Sequence, residues 1–160
     1  MPELRSTHLP DDLRLEPIGR AVTPWRRGNC PKSMRAARET GQGATLLVDA
    51  RWRPGLTGID RASHLIVLGW FAGVDRDVLV QQPKHLAIAQ GCFALRTPAR
   101  PNPIGVSIVR VTGLDLAEGR IGVDGLDWFD GTALVDLKPY YPSTDQHPDA
   151  IVRAPDTGQI

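Results

Sequence analysis

Thirty of the 160 residues are glycine or proline, 16 of the one and 14 of the other, and this excess constrains the fold more than any other feature. In a helix interior glycine costs about 1 kcal/mol and proline about 3 kcal/mol relative to alanine, whereas turns accept both. A chain punctuated so often is predicted to form short strands joined by many turns. No stretch of about 15 residues keeps an amphipathic helical period, which excludes a doubly wound α/β sheet. Apolar residues make up 41% and charged residues 23%, too apolar a balance for a disordered chain. A chain of this length buries roughly 70% of the surface exposed on unfolding, enough for a core without disulfide or metal staples.

Apolar runs bounded by turn signals predict strands over 15–22, 45–50, 64–71, 86–96, 104–112 and 133–137, and a hairpin pairing 114–116 with 120–123 across Ala117-Glu118-Gly119. Gly19 within the first strand marks a bulge or a close approach. Residues 23–43 are basic and turn-rich, with a helical turn predicted only over 33–39; such long irregular stretches in a compact domain are usually functional. Seven or eight short strands with turns every 8–12 residues fit an all-β barrel or sandwich. Residues 1–13 read as a loose N-terminal arm, 14–145 as a single mainly β domain, and 146–160 as a polar, acidic tail.

The formal net charge of +1 conceals a split. Residues 14–53 carry nine Arg or Lys against three acids, and residues 111–160 carry three against nine. Sixteen of the 19 basic residues are Arg, whose planar fork suits phosphate and carboxylate. The run Arg26, Arg27, Lys32, Arg35 and Arg38 holds no acid until Glu39, and leans towards an anionic partner over a merely solvated face. Cys30 and Cys92 lie 62 positions apart without CxxC or histidine spacing, so two reduced thiols are expected, with neither a disulfide framework nor a metal site. Met1–Asp12 lacks the basic-then-apolar order of a secretory signal, and the apolar run near Leu65–Ala72 is too short to span a bilayer. A soluble, cytoplasmic protein is expected.

Nucleotide-loop and hydrolase motifs are missing. Gly41-Gln42-Gly43 has Leu46 where GxGxxG needs its last glycine, and neither GxxxxGK[ST], HExxH nor GxSxG occurs. Two other segments carry the chemistry. In Phe93-Ala94-Leu95-Arg96-Thr97-Pro98-Ala99-Arg100-Pro101-Asn102-Pro103-Ile104-Gly105, three prolines stiffen the connection, presenting Arg96, Arg100 and Asn102 at low conformational cost. Alternatively its arginines pair with the acidic C-terminal half. In the second segment, Asp130-Gly131 forms a turn beside the Thr132 hydroxyl and Ala133. Asp136 and Lys138, two apart on a strand, leave the same face, and Tyr140 extends that line. An acid, a lysine and a phenol so placed form either a polar site or a surface ion pair beside a tyrosine. Trp25, Trp52, Trp70 and Trp128 read as packing residues, with Trp128 the one to line a pocket; His64 reads as a core histidine.

Arg-x-Pro-Asn-Pro-Ile-Gly followed by Asp-Gly-Thr-x-x-x-Asp-x-Lys-Pro-Tyr-x-Pro resembles the TsaA-like (TrmO, YaeB) family. Ile18-Gly19, Gly55–Asp60 leading into Ser63-His64-Leu65, and Phe93-Ala94-x-Arg96 extend the likeness over about residues 15–145. The resemblance implies a β-barrel that binds S-adenosylmethionine, pairs as a homodimer with the cofactor near the subunit interface, and methylates N6 of threonylcarbamoyladenosine in the tRNA anticodon loop. Position by position it implies cofactor contacts at Pro31, Lys32, Ser33, Ala72, Gly73, Arg96, Val106, Asp130, Gly131, Thr132 and Ala133. Asp136, Lys138 and Tyr140 become candidates for ordering the acceptor and taking its proton, and Arg100, Asn102, Arg26, Arg27 and Arg35 for holding substrate. No metal and no membrane are implied. Three features depart from the family pattern. Lys32 and Ser33 stand for Arg and Gln, Ala72-Gly73 for a His-Gln pair, and the chain has no counterpart of the C-terminal extension of longer bacterial members. Two other functions remain compatible: a small-molecule methyltransferase on the same barrel, and a protein that binds S-adenosylmethionine without turning it over.

Overall fold

A computed structural model describes residues 13–84 and 86–153; most of the expected N-terminal arm and the end of the expected tail lie outside the described residues. Eight strands form: β1 Gly19–Val22, β2 Ala44–Val48, β3 His64–Trp70, β4 Val80–Gln81, β5 Gln90–Gly91, β6 Ile104–Asp115, β7 Arg120–Val123 and β8 Ala133–Pro139. Six of them close into a barrel in the order β1-β2-β7-β6-β3-β8, and β4 pairs with β5 as a separate ribbon. The expected seven or eight strands are thus present, but only six ring the core. Two short helices, α1 Met34–Glu39 and α2 Pro142–Asp145, lie outside the ring. No helix among the described residues is long and apolar enough to cross a membrane.

Period-2 alternation turns one side of each strand into the barrel. Leu46 and Val48, Leu65 and Val67, Val109, Ile121, Val123 and Leu134 make one buried cluster with Leu126 and Trp128. Every barrel pairing is antiparallel, so the chain emerges alternately at the two ends. The long connections 23–43, 71–103 and 124–132 therefore all leave the same end. The opposite end carries residues 49–63, with two 3-10 turns at Ala50–Leu56 and Ile59–Arg61, and the tight β6–β7 hairpin.

Three sequence expectations are corrected. Residues 86–96 do not form one strand: two residues pair, and Cys92–Ala94 coils into a 3-10 turn. The cause is Arg100, whose guanidinium collects the carbonyls of Cys92 (3.1 Å), Leu95 (3.2 Å) and Thr97 (3.4 Å) and bends the segment around itself. Residues 114–116 are not a separate strand, because β6 continues through Thr112-Gly113 and absorbs the break as a register shift between Val111 and Gly113. The first strand is shorter than 15–22, beginning at Gly19. There the close-approach expectation holds, since a Cβ on Gly19 would overlap the Leu47 carbonyl.

Gly69 on β3 and Gly105 on β6 are cross-strand partners. A Cβ on Gly69 would collide with the Trp128 ring, and one on Gly105 with the Phe71 ring. The two rings stand edge to face, 5.4 Å apart at 89°, a preferred aromatic geometry. This glycine pair makes the recess that seats the aromatic plug at the loop-rich end. Replacing either glycine by alanine must displace a packed ring, so Gly69→Ala and Gly105→Ala are each expected to cost about 1–3 kcal/mol. Gly55→Ala, where nothing lies within 4 Å, serves as the near-neutral control. Urea unfolding midpoints compare the three; equal midpoints would remove the plug from the account.

Candidate functional site

The three connections at the loop-rich end enclose a cleft of about 1100 Å³, at the upper limit of the roughly 300–1,000 Å³ usual for pockets holding drug-sized ligands. One wall is Cys30–Met34, where Ser33 caps α1 by accepting from the Ala36 amide at 3.1 Å. Arg38 fastens α1 to the barrel, Nε to Asp124 Oδ2 at 3.0 Å and Nη2 to the Ile108 carbonyl at 2.6 Å. The facing wall is the proline-rich segment from Leu95 to Asn102. The floor is Gly105 and Ser107 of β6 with Phe71 and Trp128, and Asp127 and Phe129 complete the lining.

The proline wall is braced from within and without. Arg100 holds three of its carbonyls as described. Gln81 of β4 donates to the Ala99 carbonyl (2.8 Å) and accepts from Thr97 Oγ1 (3.0 Å). On the outer side Arg76 donates to the Pro101 carbonyl at 2.6 Å, approaches Asn102 Oδ1 at 3.5 Å, and lies 5.4 Å over the Trp70 ring. Among the described residues neither Arg96 nor Arg100 joins an ion pair, so the alternative of pairing with the acidic half is not realised. Arg96 makes one hydrogen bond, Nη2 to the Val106 carbonyl at 2.7 Å, and is exposed along the cleft it lines.

Of the residues singled out in the sequence, Pro31, Lys32, Ser33, Arg96, Arg100, Asn102 and Val106 line this cleft, and so does Trp128. Ala72 and Gly73 lie just beyond it, next to the lining residue Phe71. Asp130, Gly131, Thr132 and Ala133 follow the lining segment without joining it. Their polar groups are engaged: Asp130 Oδ1 accepts from the Thr23 amide (3.1 Å), Gly131 N donates to the Ala21 carbonyl (2.9 Å), and Thr132 Oγ1 donates to the Phe129 carbonyl (2.7 Å). Asp136 and Lys138 do share a face and form an ion pair at 2.7 Å, 42% and 59% exposed, but the face is the outside of the barrel. Tyr140 continues past it to His64, ring centroids 6.4 Å apart. Arg26 and Arg27 are exposed outside the cleft, and Arg35 pairs with Glu39 at 2.9 Å.

The sequence reading gave no role to Cys30, Asp127, Phe93 or Phe129, all of which line the cleft. Phe93 is 79% exposed. Burial and the neighbouring Asp127 charge push the Cys30 thiol from 9.0 to about 11. Burial likewise raises Asp127 above its ordinary 3.8, against the pull of Arg96 and Arg38. No three His, Cys, Asp or Glu side chains gather as metal ligands among the described residues.

The tRNA-methyltransferase O N-terminal domain family matches this sequence over residues 22–146. The chain belongs to that family. Among its relatives, a probable S-adenosyl-L-methionine-binding protein, VirR, of Rhizobium radiobacter is 39% identical over 80% of this chain and 71% of its own. An S-adenosyl-L-methionine-binding protein of Archaeoglobus fulgidus is 33% identical over 82% of this chain and 91% of its own. A crystal structure of TrmO superposes with a TM-score of 0.69 at 30% identity, covering 87% of this chain and 62% of that one. The described fold thus corresponds to less than two thirds of the TrmO chain.

The Cys30 thiol has a testable consequence. At pH 8 a thiol with a pKa of about 11 is only about one part in a thousand thiolate, and Cys92 is 1% exposed. Both cysteines of the folded protein are therefore expected to resist iodoacetamide at pH 8, with Cys30 labelling accelerating tenfold per pH unit up to about 11. Rapid labelling at pH 8 would contradict the burial of this wall.

Proposed function

We propose that this chain binds S-adenosylmethionine in the cleft and transfers its methyl group to N6 of threonylcarbamoyladenosine in the tRNA anticodon loop. The observation that carries the reading is the cleft itself, in which a rigid proline wall presents the incompletely engaged Arg96 above an aromatic floor. The residues fit the cofactor chemically: a guanidinium for its carboxylate, aromatic faces for its ring and its positive sulfur, and a volume that leaves room for part of a second ligand. When bound, the cofactor supplies an already activated methyl group. The protein's task is then chiefly to hold acceptor and donor in line and to exclude water. The braced proline wall and capped α1 provide two fixed sides for that purpose. Lys32 stands where the family has an arginine and offers a point charge instead of a fork.

The tRNA part of the proposal is supported by the family's name and by cations near the cleft. Arg26, Arg27 and Lys32 form no ion pair among the described residues and suit a phosphate backbone. An anticodon-loop base is already single-stranded, so presenting it to a pocket costs little. A second reading, cofactor binding without turnover, is favoured by Ala72-Gly73, which puts no polar side chain where the family has two.

The proposal includes a homodimer. Ile104, Val106 and Ile108, 39%, 41% and 44% exposed, make an apolar strip on the outer face of β6, flanked by Trp70, Leu68 and Ile66 of β3. Val106 belongs both to this strip and to the cleft lining, so a second copy seated on the strip borders the cleft. Within one chain Asp136, Lys138 and Tyr140 stand outside the cleft; a proton-handling role for them requires that second copy.

Calorimetry with S-adenosylmethionine is expected to show binding to the wild type, weakened at least about tenfold by Arg96→Ala, a loss of about 1.4 kcal/mol. Nucleoside mass spectrometry of tRNA from a strain lacking the gene should then show loss of the methylated base. Binding with unchanged tRNA would favour the second reading, and absence of binding would remove both. Sedimentation tests the pairing separately: wild type as a dimer, Ile108→Glu as a monomer. A monomeric wild type at micromolar concentration would overturn the homodimer.

A further inference from the structure

Among the described residues, Asp127 is the sole carboxylate lining a cleft that also holds Lys32, Arg96 and Arg100. Its backbone is clamped on both sides. Trp25 Nε1 donates to the Leu126 carbonyl at 2.8 Å and Thr23 Oγ1 to the Trp128 carbonyl at 2.8 Å, while Leu126 and Trp128 are 0% and 3% exposed. These bonds fix the backbone that carries the half-buried Asp127 side chain at the cleft. No other side chain among the described residues bonds to it, and no ion pair within 4.0 Å includes it. Arg96 nonetheless acts on it electrostatically, as does Arg38 from α1. Two opposite charges therefore line one cleft without forming a direct ion pair.

We propose that Asp127 and Arg96 form a two-charge subsite for the α-amino acid head of the cofactor, Asp127 taking the ammonium and Arg96 the carboxylate. The inference rests on the cofactor reading above. Of the cleft's other cations, Arg100 is engaged by three backbone carbonyls and Lys32 lacks a planar fork, so Arg96 is the fitting carboxylate partner. Among the described residues of the cleft, Asp127 is the one anionic side chain an ammonium can meet. An ionised carboxylate held partly buried with no side-chain bond, only its own backbone amide, lowers stability, and such costs concentrate at binding sites.

Asp127→Asn keeps the shape and removes the charge. Because burial raises the Asp127 pKa, the stability it contributes is present below the ordinary aspartate range and lost as pH rises through the raised value. At pH 7 the ionised carboxylate is a net cost, and the Asn variant is expected to melt at or above the wild-type temperature. Calorimetry with three probes then isolates the subsite: S-adenosylmethionine, S-adenosylhomocysteine, and 5′-methylthioadenosine, which lacks the amino acid head. The variant is expected to bind the first two at least about tenfold more weakly and the third within about twofold of wild type. Equal loss for all three, or no loss for any, would overturn the subsite while leaving the cofactor reading intact. A wild type that binds none of the three would overturn both. Asp127→Glu, which restores the charge, is expected to recover part of the discrimination.

Discussion

Closure of six antiparallel strands is the constraint on which everything else depends. A closed antiparallel ring sends alternate connections to opposite ends, and here the three long ones share an end. Residues far apart in sequence, 30–34, 95–106 and 127–129, meet there because the strands beneath them are paired: Val22 with Thr45, Ala44 with Val123, Trp70 with Ile104 and with Ala133. Even the longest excursion is tied at its base, where the Phe71 amide donates to the Pro103 carbonyl at 2.9 Å. The ring provides the rigid element, and loops borne on it carry the chemistry, as is common where function is set on a packed scaffold.

Division of labour among the arginines follows from their surroundings. Arg100 has its guanidinium among carbonyls and shapes the wall. Arg38 joins α1 to Asp124 and to β6. Arg76 holds the outside of the proline segment against Trp70. Arg96, with a single backbone hydrogen bond, is the arginine of this wall with donors to spare. A planar five-donor group can brace backbone or bind anions according to what faces it. Neutral Cys30 suits the same setting: a protonated thiol is a poor nucleophile, so a reactive methyl donor next to it would meet little competition from the protein.

Much of this was legible in the sequence. The glycine and proline count excluded long helices, apolar runs bounded by turn signals located β3 and β7, and the hairpin joining 120–123 to the preceding strand was read from Ala117-Glu118-Gly119. Of the arginines expected to be presented by the proline segment, Arg100 instead braces it. The two-residue spacing of Asp136 and Lys138 did place them together. What spacing could not tell was which side of the sheet they faced, because β8 shifts register against β3 between Leu68 and Gly69. The 86–96 segment looked like a strand because a carbonyl-collecting arginine several residues later leaves no local trace. Asp130–Thr132 looked like a cradle, yet its polar groups are satisfied locally and by residues of the β1 end, a long-range fact. Asp127 was invisible for a similar reason. A single acid between Leu126 and Trp128 has no motif, and its place in the cleft depends on Trp25 and Thr23, about a hundred residues away.

The central claim is that the nucleoside cofactor lies between the α1 wall, the proline wall and the 127–129 segment. Amide hydrogen exchange with and without saturating S-adenosylmethionine tests it directly. The account predicts slowed exchange concentrated in residues 30–34, 95–106 and 126–129, with the opposite end of the barrel, residues 49–63 and 116–120, unchanged. Protection centred on the opposite end, or none in those three segments despite saturation, would contradict it.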